Sequence, residues 1–136
     1  VIQEMEVLQS TSGTGKATVC LYSMGNAISS QRKEIMDEDD NRGYTEDGLT
    51  ISVNYEKLNN GTVRLTEVSV LPTWVDDEGG VYKLVALDQM MNADKWQTYS
   101  ISEAKASYNR TMERLGFNYP ALRDYLGNDP VKQEIE

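Results

Sequence analysis

The residues best suited to binding chemistry lie together in Tyr22-Ser23-Met24-Gly25-Asn26-Ala27-Ile28-Ser29-Ser30-Gln31-Arg32. Gly25 tolerates positive φ and lets a ligand come close to the backbone, and Asn26 carries a donor and an acceptor on one side chain. Ser23 adds a hydroxyl and Gln31 a second amide, while the planar fork of Arg32 suits a pair of carboxylate or phosphate oxygens. This set can bind an anion or a polar chain, but it has no base to drive catalysis. The chain contains no histidine. That excludes Ser-His-Asp hydrolysis, a Cys-His nucleophile, histidine-bound zinc and imidazole acid–base work within these residues. No catalytic residue, metal ligand or cofactor site is assigned. The structural use of the same stretch is a strand end with a turn held by Asn26. Arg32 would then pair with Asp37 or Glu38 on the surface, for about 0–1 kcal/mol.

Other candidate motifs carry less. Ser12-Gly13-Thr14-Gly15-Lys16 looks like part of a phosphate-binding loop, but that motif needs glycine where Ser10 stands and Ser or Thr where Ala17 stands. A strand also follows where the motif needs a helix. Asp37-Glu38-Asp39-Asp40 is dense in carboxylates but lacks the EF-hand pattern, and it reads as a solvated acidic loop. Cys20 is the only cysteine, so no intrachain disulfide forms, and a small packed thiol is its expected role. A formal net charge of −9 argues against a nucleic-acid surface, which needs clustered Lys and Arg.

The elements that must hold these residues are mostly strands. Val1–Gln9 and Lys16–Tyr22 form a hairpin around the turn residues Ser10–Gly15. Leu49–Leu58 alternates cleanly, with Leu49, Ile51, Val53 and Tyr55 on one face. Asn59-Asn60-Gly61 predicts a type I′ hairpin turn. Val63 and Leu65 then fall out of phase with Val68 and Val70, which suggests a bulge across Thr66-Glu67 or a strand passing between environments. Pro72 is expected to end that strand, and Val81–Leu87 returns after a polar turn. Trp74 is expected in the core.

From Asp88 the hydrophobic period becomes helical. Ser100-Ile-Ser-Glu103 is a capping box, Ala104, Tyr108, Met112 and Leu115 repeat on one face, and Gly116 is a stop. Pro120–Leu126 predicts a second, shorter helix. The expected architecture is α+β, mainly antiparallel sheet with helices at the C-terminal end. Residues 1–136 read as a single domain or the C-terminal part of a larger one, with a β-rich portion over 1–87, a helical tail over 88–136 and no linker between them. No apolar run approaches the ~18 residues of a membrane helix.

The stretch Tyr22-Ser-Met-Gly-Asn26 through Gln31 resembles the Tyr-Ser-Leu-Gly-Asn-Phe-(Ile/Val)-x-x-Gln signature of bacterial capsule-synthesis proteins of the CapA type. Those proteins are linked to poly-γ-glutamate biosynthesis and related to calcineurin-like metallophosphoesterases. The likeness continues in the same order through Tyr44-Thr-Glu-Asp-Gly48, a strand of β-branched residues and Pro72-Thr-Trp-Val75, over roughly residues 1–90. Met24 replaces the usual Leu, and Ala27 removes the usual Phe ring.

The resemblance implies the second half of a two-sheet calcineurin-like sandwich. A histidine-containing metal motif would lie directly before Val1-Ile2-Gln3, which agrees with a chain that starts at Val rather than Met. Divalent metals would then belong to the missing N-terminal part of the parent. The parent would be extracytoplasmic and anchored through that part. The anionic polymer would meet Ser23, Gly25, Asn26, Gln31 and Arg32, and the uncovered sheet would favour self-association. The alternative is a stand-alone extracellular binding module with no chemistry of its own.

Overall fold

A computed structural model describes residues 1–9, 11, 17–32 and 45–116. Strand β1 (Met5–Gln9) pairs antiparallel with β2 (Ala17–Leu21), Val7 opposite Val19. Strands β3 (Asp47–Lys57), β4 (Val63–Asp77) and β5 (Tyr82–Ala86) form a second antiparallel sheet in the order β3-β4-β5. A 3-10 turn at Ala93–Lys95 leads into helix α1 (Ile101–Gly116). The protein is α+β, mainly antiparallel sheet with a helix after it. The expected acidic loop at 33–43 and the second expected helix at 120–126 lie outside the described residues.

One face of the β3-β4-β5 sheet receives two covers. Toward one end, the hairpin brings Met5, Val7, Val19 and Leu21 against Leu49, Ile51, Val53, Leu65, Val68 and Val70, with Ile2 and Leu115 completing the cluster. Toward the other end, Trp74, Val85 and Leu87 pack with Trp96 and Ala104, and Ile101 and Tyr108 lie beside them. The bulge keeps the first cluster apolar. Asn54 faces Glu67 and the next pair is Tyr55 with Leu65, so Thr66 is the extra residue. That single insertion brings Leu65, Val68 and Val70 to one face although they differ in parity. The hydroxyl of Thr66 donates to the carbonyl of Asn54 at 3.0 Å across the irregularity.

Three local expectations change. β4 does not stop at Pro72 but continues through it to Asp77, with Pro72 opposite Leu49. The reason is which way that residue's backbone points. The carbonyl of Pro72 accepts from Leu87 N at 2.9 Å, so the missing N–H also faces the β5 side, just beyond the end of β5. A proline costs least where the ladder has already run out. The β3–β4 turn is not type I′, because Asn59 and Asn60 keep negative φ and only Gly61 turns positive, at 86°. Gly61 N donates to Leu58 O, Leu58 N to Thr62 O, and Thr62 N to the side chain of Asn60. This is a three-residue loop with glycine in the left-handed position. Finally, the buried stripe of α1 is Ala104, Ser107, Thr111 and Leu115, while Tyr108 and Met112 sit half-buried at its margin.

The two sheets are joined by the loop after β2. Ile2 bridges Met24, Gly25 bridges Gly48, Asn26 N donates to Asp47 O at 2.9 Å and Leu49 N donates to Met24 O at 2.9 Å. Hydrogen bonding therefore runs from the N-terminal segment through residues 24–26 into β3. The approach requires glycine on both sides. A Cβ on Gly48 would stand 2.2 Å from Asn26 O and 2.6 Å from Thr73 Oγ1. One on Gly25, where φ is 74°, would stand 2.4 Å from Asp47 O. Gly48→Ala is expected to cost at least about 3 kcal/mol, because backbone must move. Gly61→Ala, with open space around it, costs only the left-handed strain of about 1–2 kcal/mol. Urea denaturation of the two variants checks the order; equal losses would show that the bridge is slack.

Candidate functional site

The junction of loop, sheet and helix gathers the polar groups of the chain. β3 begins with Asp47-Gly48 and is entered through Thr45-Glu46, and both acids are buried, Glu46 at 1% exposure and Asp47 at 3%. Each has donors waiting for it. Glu46 accepts from the indole N–H of Trp74 at 3.1 Å and lies 3.4 Å from Arg32 Nε. Asp47 accepts from the hydroxyl of Ser107 at 2.7 Å, and Arg110 grips it with Nε at 2.9 Å and Nη2 at 2.7 Å. A third buried carboxylate, Asp76, accepts from Thr98 Oγ1. The bond to Asp47 is the main cause that raises the guanidinium pKa of Arg110 above its ordinary value, so this cation stays charged at any working pH. Charges removed from water in this way need bidentate partners and hydrogen bonds on the remaining oxygens, and Asp47 has both.

The five residues singled out from the sequence lie in and around this junction. Gly25 provides the bridge to Gly48. The half-buried Ser23 accepts a 3.3 Å bond from Gly25 N. Asn26 donates its side-chain amide to Ser29 Oγ at 2.8 Å and to Thr45 O at 2.7 Å, so it ties the loop to the start of β3. Arg32 turns inward: it pairs with Glu46, donates to the carbonyl of Val75 and lies over the Trp74 ring, 6.0 Å from the centroid. Gln31 is exposed, and its backbone N–H is held by Ser29 Oγ at 3.2 Å. Ser23, Gly25, Asn26 and Arg32 fix the loop, and Gln31 is the member whose side chain faces water.

The sequence reading passed over Glu46, Asp47, Ser107 and Arg110. A signal was present in the adjacent acids Glu46-Asp47 at the start of a strand, since alternation puts one of two neighbours inward and an inward acid demands a cation. Ser107 and Arg110 gave none, because their partner is 60 or more positions away. Among the described residues no three His, Cys, Asp or Glu side chains are grouped to hold a metal ion. The arrangement is one of cohesion, with its carboxylates engaged by named donors.

No family model matches this chain, and no curated protein or solved structure matches it either.

Removing a partner should expose the cost of these charges. Arg110→Ala strands a carboxylate that is 4% exposed, and a loss of about 3–5 kcal/mol is expected. Asp47→Ala should cost less, because Arg110, at 24% exposure, can swing toward water. Chemical denaturation of both single variants and the double variant yields the coupling; a double variant as damaged as the sum of the singles would show no interaction across the pair.

Proposed function

We propose that this chain is the C-terminal part of a CapA-type protein and that it serves the production of poly-γ-glutamate or a related capsule polymer by binding, not by chemistry of its own. The observation that carries the reading is the meeting of the two segments on which the resemblance rests. Ser23–Asn26 and Thr45–Gly48 are separated by 18 residues, and in the structure they pair backbone to backbone across Gly25 and Gly48. A loop so held stands at a sheet end on a rigid support, which is where binding groups are usually carried. In this reading Ser23, Gly25, Asn26 and Arg32 set the loop, and Gln31 together with loop backbone meets the polymer. Divalent metals and the phosphoesterase-like chemistry belong to an upstream part of an extracytoplasmic, anchored parent.

Two measurements test the proposal. The coding sequence upstream of Val1 is expected to contain a histidine-bearing metal motif, and deletion of the parent gene is expected to abolish surface poly-γ-glutamate. Restoring the gene with Gln31→Ala should lower polymer output at unchanged thermal stability, since the side chain is exposed. Undiminished polymer in the deletion strain would remove the proposal. A signal peptide directly before Val1 would replace it with the stand-alone extracellular module.

A further inference from the structure

The tip of the β3–β4 hairpin carries a reactive pair of residues, independent of the CapA reading. Asn60-Gly61 is the one place in the 136 residues where asparagine precedes glycine. The backbone nitrogen of the following residue can attack an asparagine side chain, and glycine crowds that attack least because it has no Cβ. Asp47-Gly48 offers the same backbone opportunity to an acid. Either pair could close to a five-membered imide on sequence grounds, and the structure separates them.

Asp47 is 3% exposed, its oxygens are held by Ser107 and Arg110, and Gly48 lies against the carbonyl of Asn26. Asn60 is the opposite case. It is exposed in the loop between two strands, and a Cβ built on Gly61 would meet nothing within 4 Å beyond its chain neighbours. Thr62 N donates to Asn60 Oδ1 at 2.9 Å. That bond polarises the side-chain carbonyl and sets a donor where negative charge would gather during attack. Gly61 N donates to Leu58 O at 2.9 Å, so attack waits for this single bond to open, which loop tips do most readily. The other described asparagines are worse placed. Asn26 and Asn54 have their amides engaged by Ser29, Thr45 and Glu67, Asn109 lies within α1, and Asn59 and Asn92 precede residues that carry a Cβ.

We propose that Asn60 is a site of spontaneous covalent modification, converting to aspartate and isoaspartate through a cyclic imide with water as co-reactant. Gly61 N gives its proton to solvent base and bonds to Asn60 Cγ. The Cγ–Nδ2 bond breaks, and Nδ2 takes up a proton and leaves as ammonia. The ring holds Gly61 N with the Cγ, Cβ, Cα and carbonyl carbon of Asn60. Water then adds to either carbonyl carbon and releases Gly61 N from it. Release from Cγ gives aspartate; release from the main-chain carbonyl carbon leaves the chain running through Cγ, as isoaspartate. Each event exchanges an amide for a carboxylate and makes the net charge of −9 more negative by one. Isoaspartate also lengthens the main chain by a methylene, in a loop whose closing bonds, Gly61 N to Leu58 O and Leu58 N to Thr62 O, fit the normal length.

The test incubates the folded 136-residue chain in mildly alkaline buffer and follows it by mass spectrometry after trypsin, which cuts at Lys57 and Arg64 and isolates the segment between them. The acid form of that peptide is expected to grow several-fold faster than at Asn26, Asn54, Asn92 or Asn109, with fragmentation placing the change on Asn60 and isoaspartate the larger of two products. Gly61→Ala, compared with the parent in urea so that strain in the folded loop plays no part, should slow the change several-fold. Asn60→Gln should abolish it in the folded protein. Aspartate without isoaspartate would mean direct hydrolysis and overturn the cyclic route, as would a Gly61→Ala chain that reacts as fast as the parent. An Asn60 amide that outlasts those of Asn26 and Asn54 in the folded chain, or a change that persists in Asn60→Gln, would overturn the site.

Discussion

Asp47 is the constraint on which the rest of the structure depends. Its carboxylate is withdrawn from water at the first position of β3, where desolvation alone would cost several kcal/mol. Ser107 and the bidentate grip of Arg110 offset that cost, and both lie on α1. The helix therefore cannot rotate or slide on the sheet without stranding a charge. This accounts for the unusual buried stripe of α1, which is polar at its centre. A stripe of Ala104, Tyr108, Met112 and Leu115 would bury more apolar area, but it would turn Ser107 away from Asp47.

The same residue governs the loop through its backbone. The carbonyl of Asp47 accepts from Asn26, and Gly48 beside it accepts the close approach of Gly25. Glu46, one residue earlier, reaches the opposite way to Arg32 and Trp74. Three consecutive positions thus clamp the helix, the loop after β2 and the aromatic core of β4. Such charged networks give modest net stability, since an apolar replacement of like volume would often do as well. Their value here lies in position: each partner is far away in sequence, and each can satisfy the charge in one arrangement only.

For function, the consequence is a division between the loop's interior and its rim. The polar side chains that would suit an anionic ligand on composition grounds are largely used to hold the loop in place. The loop's outward side chains are Met24, Ala27, Ile28, Ser30 and Gln31, on a support tied to the core.

The sequence by itself determined the elements whose cause is local. Alternation placed β3, the phase change at Thr66-Glu67 marked an irregularity that proves to be a bulge, helical spacing located α1, and the absence of histidine removed imidazole chemistry within these residues. It marked Ser23–Asn26 as a strand end and turn as well, because glycine and asparagine are the residues that tolerate such backbone. Only the tertiary structure decided what those residues do. Pro72 stays within β4 because its missing N–H falls where β5 has ended, which depends on where another strand stops. Arg32 turns inward because Glu46 and Trp74 converge on it, and Asp47 is buried because Ser107 and Arg110 reach it from 60 or more positions away. Periodicity reports which face of an element is apolar. It carries no information about which distant charge makes burial of a polar residue tolerable, and that pairing fixed the site.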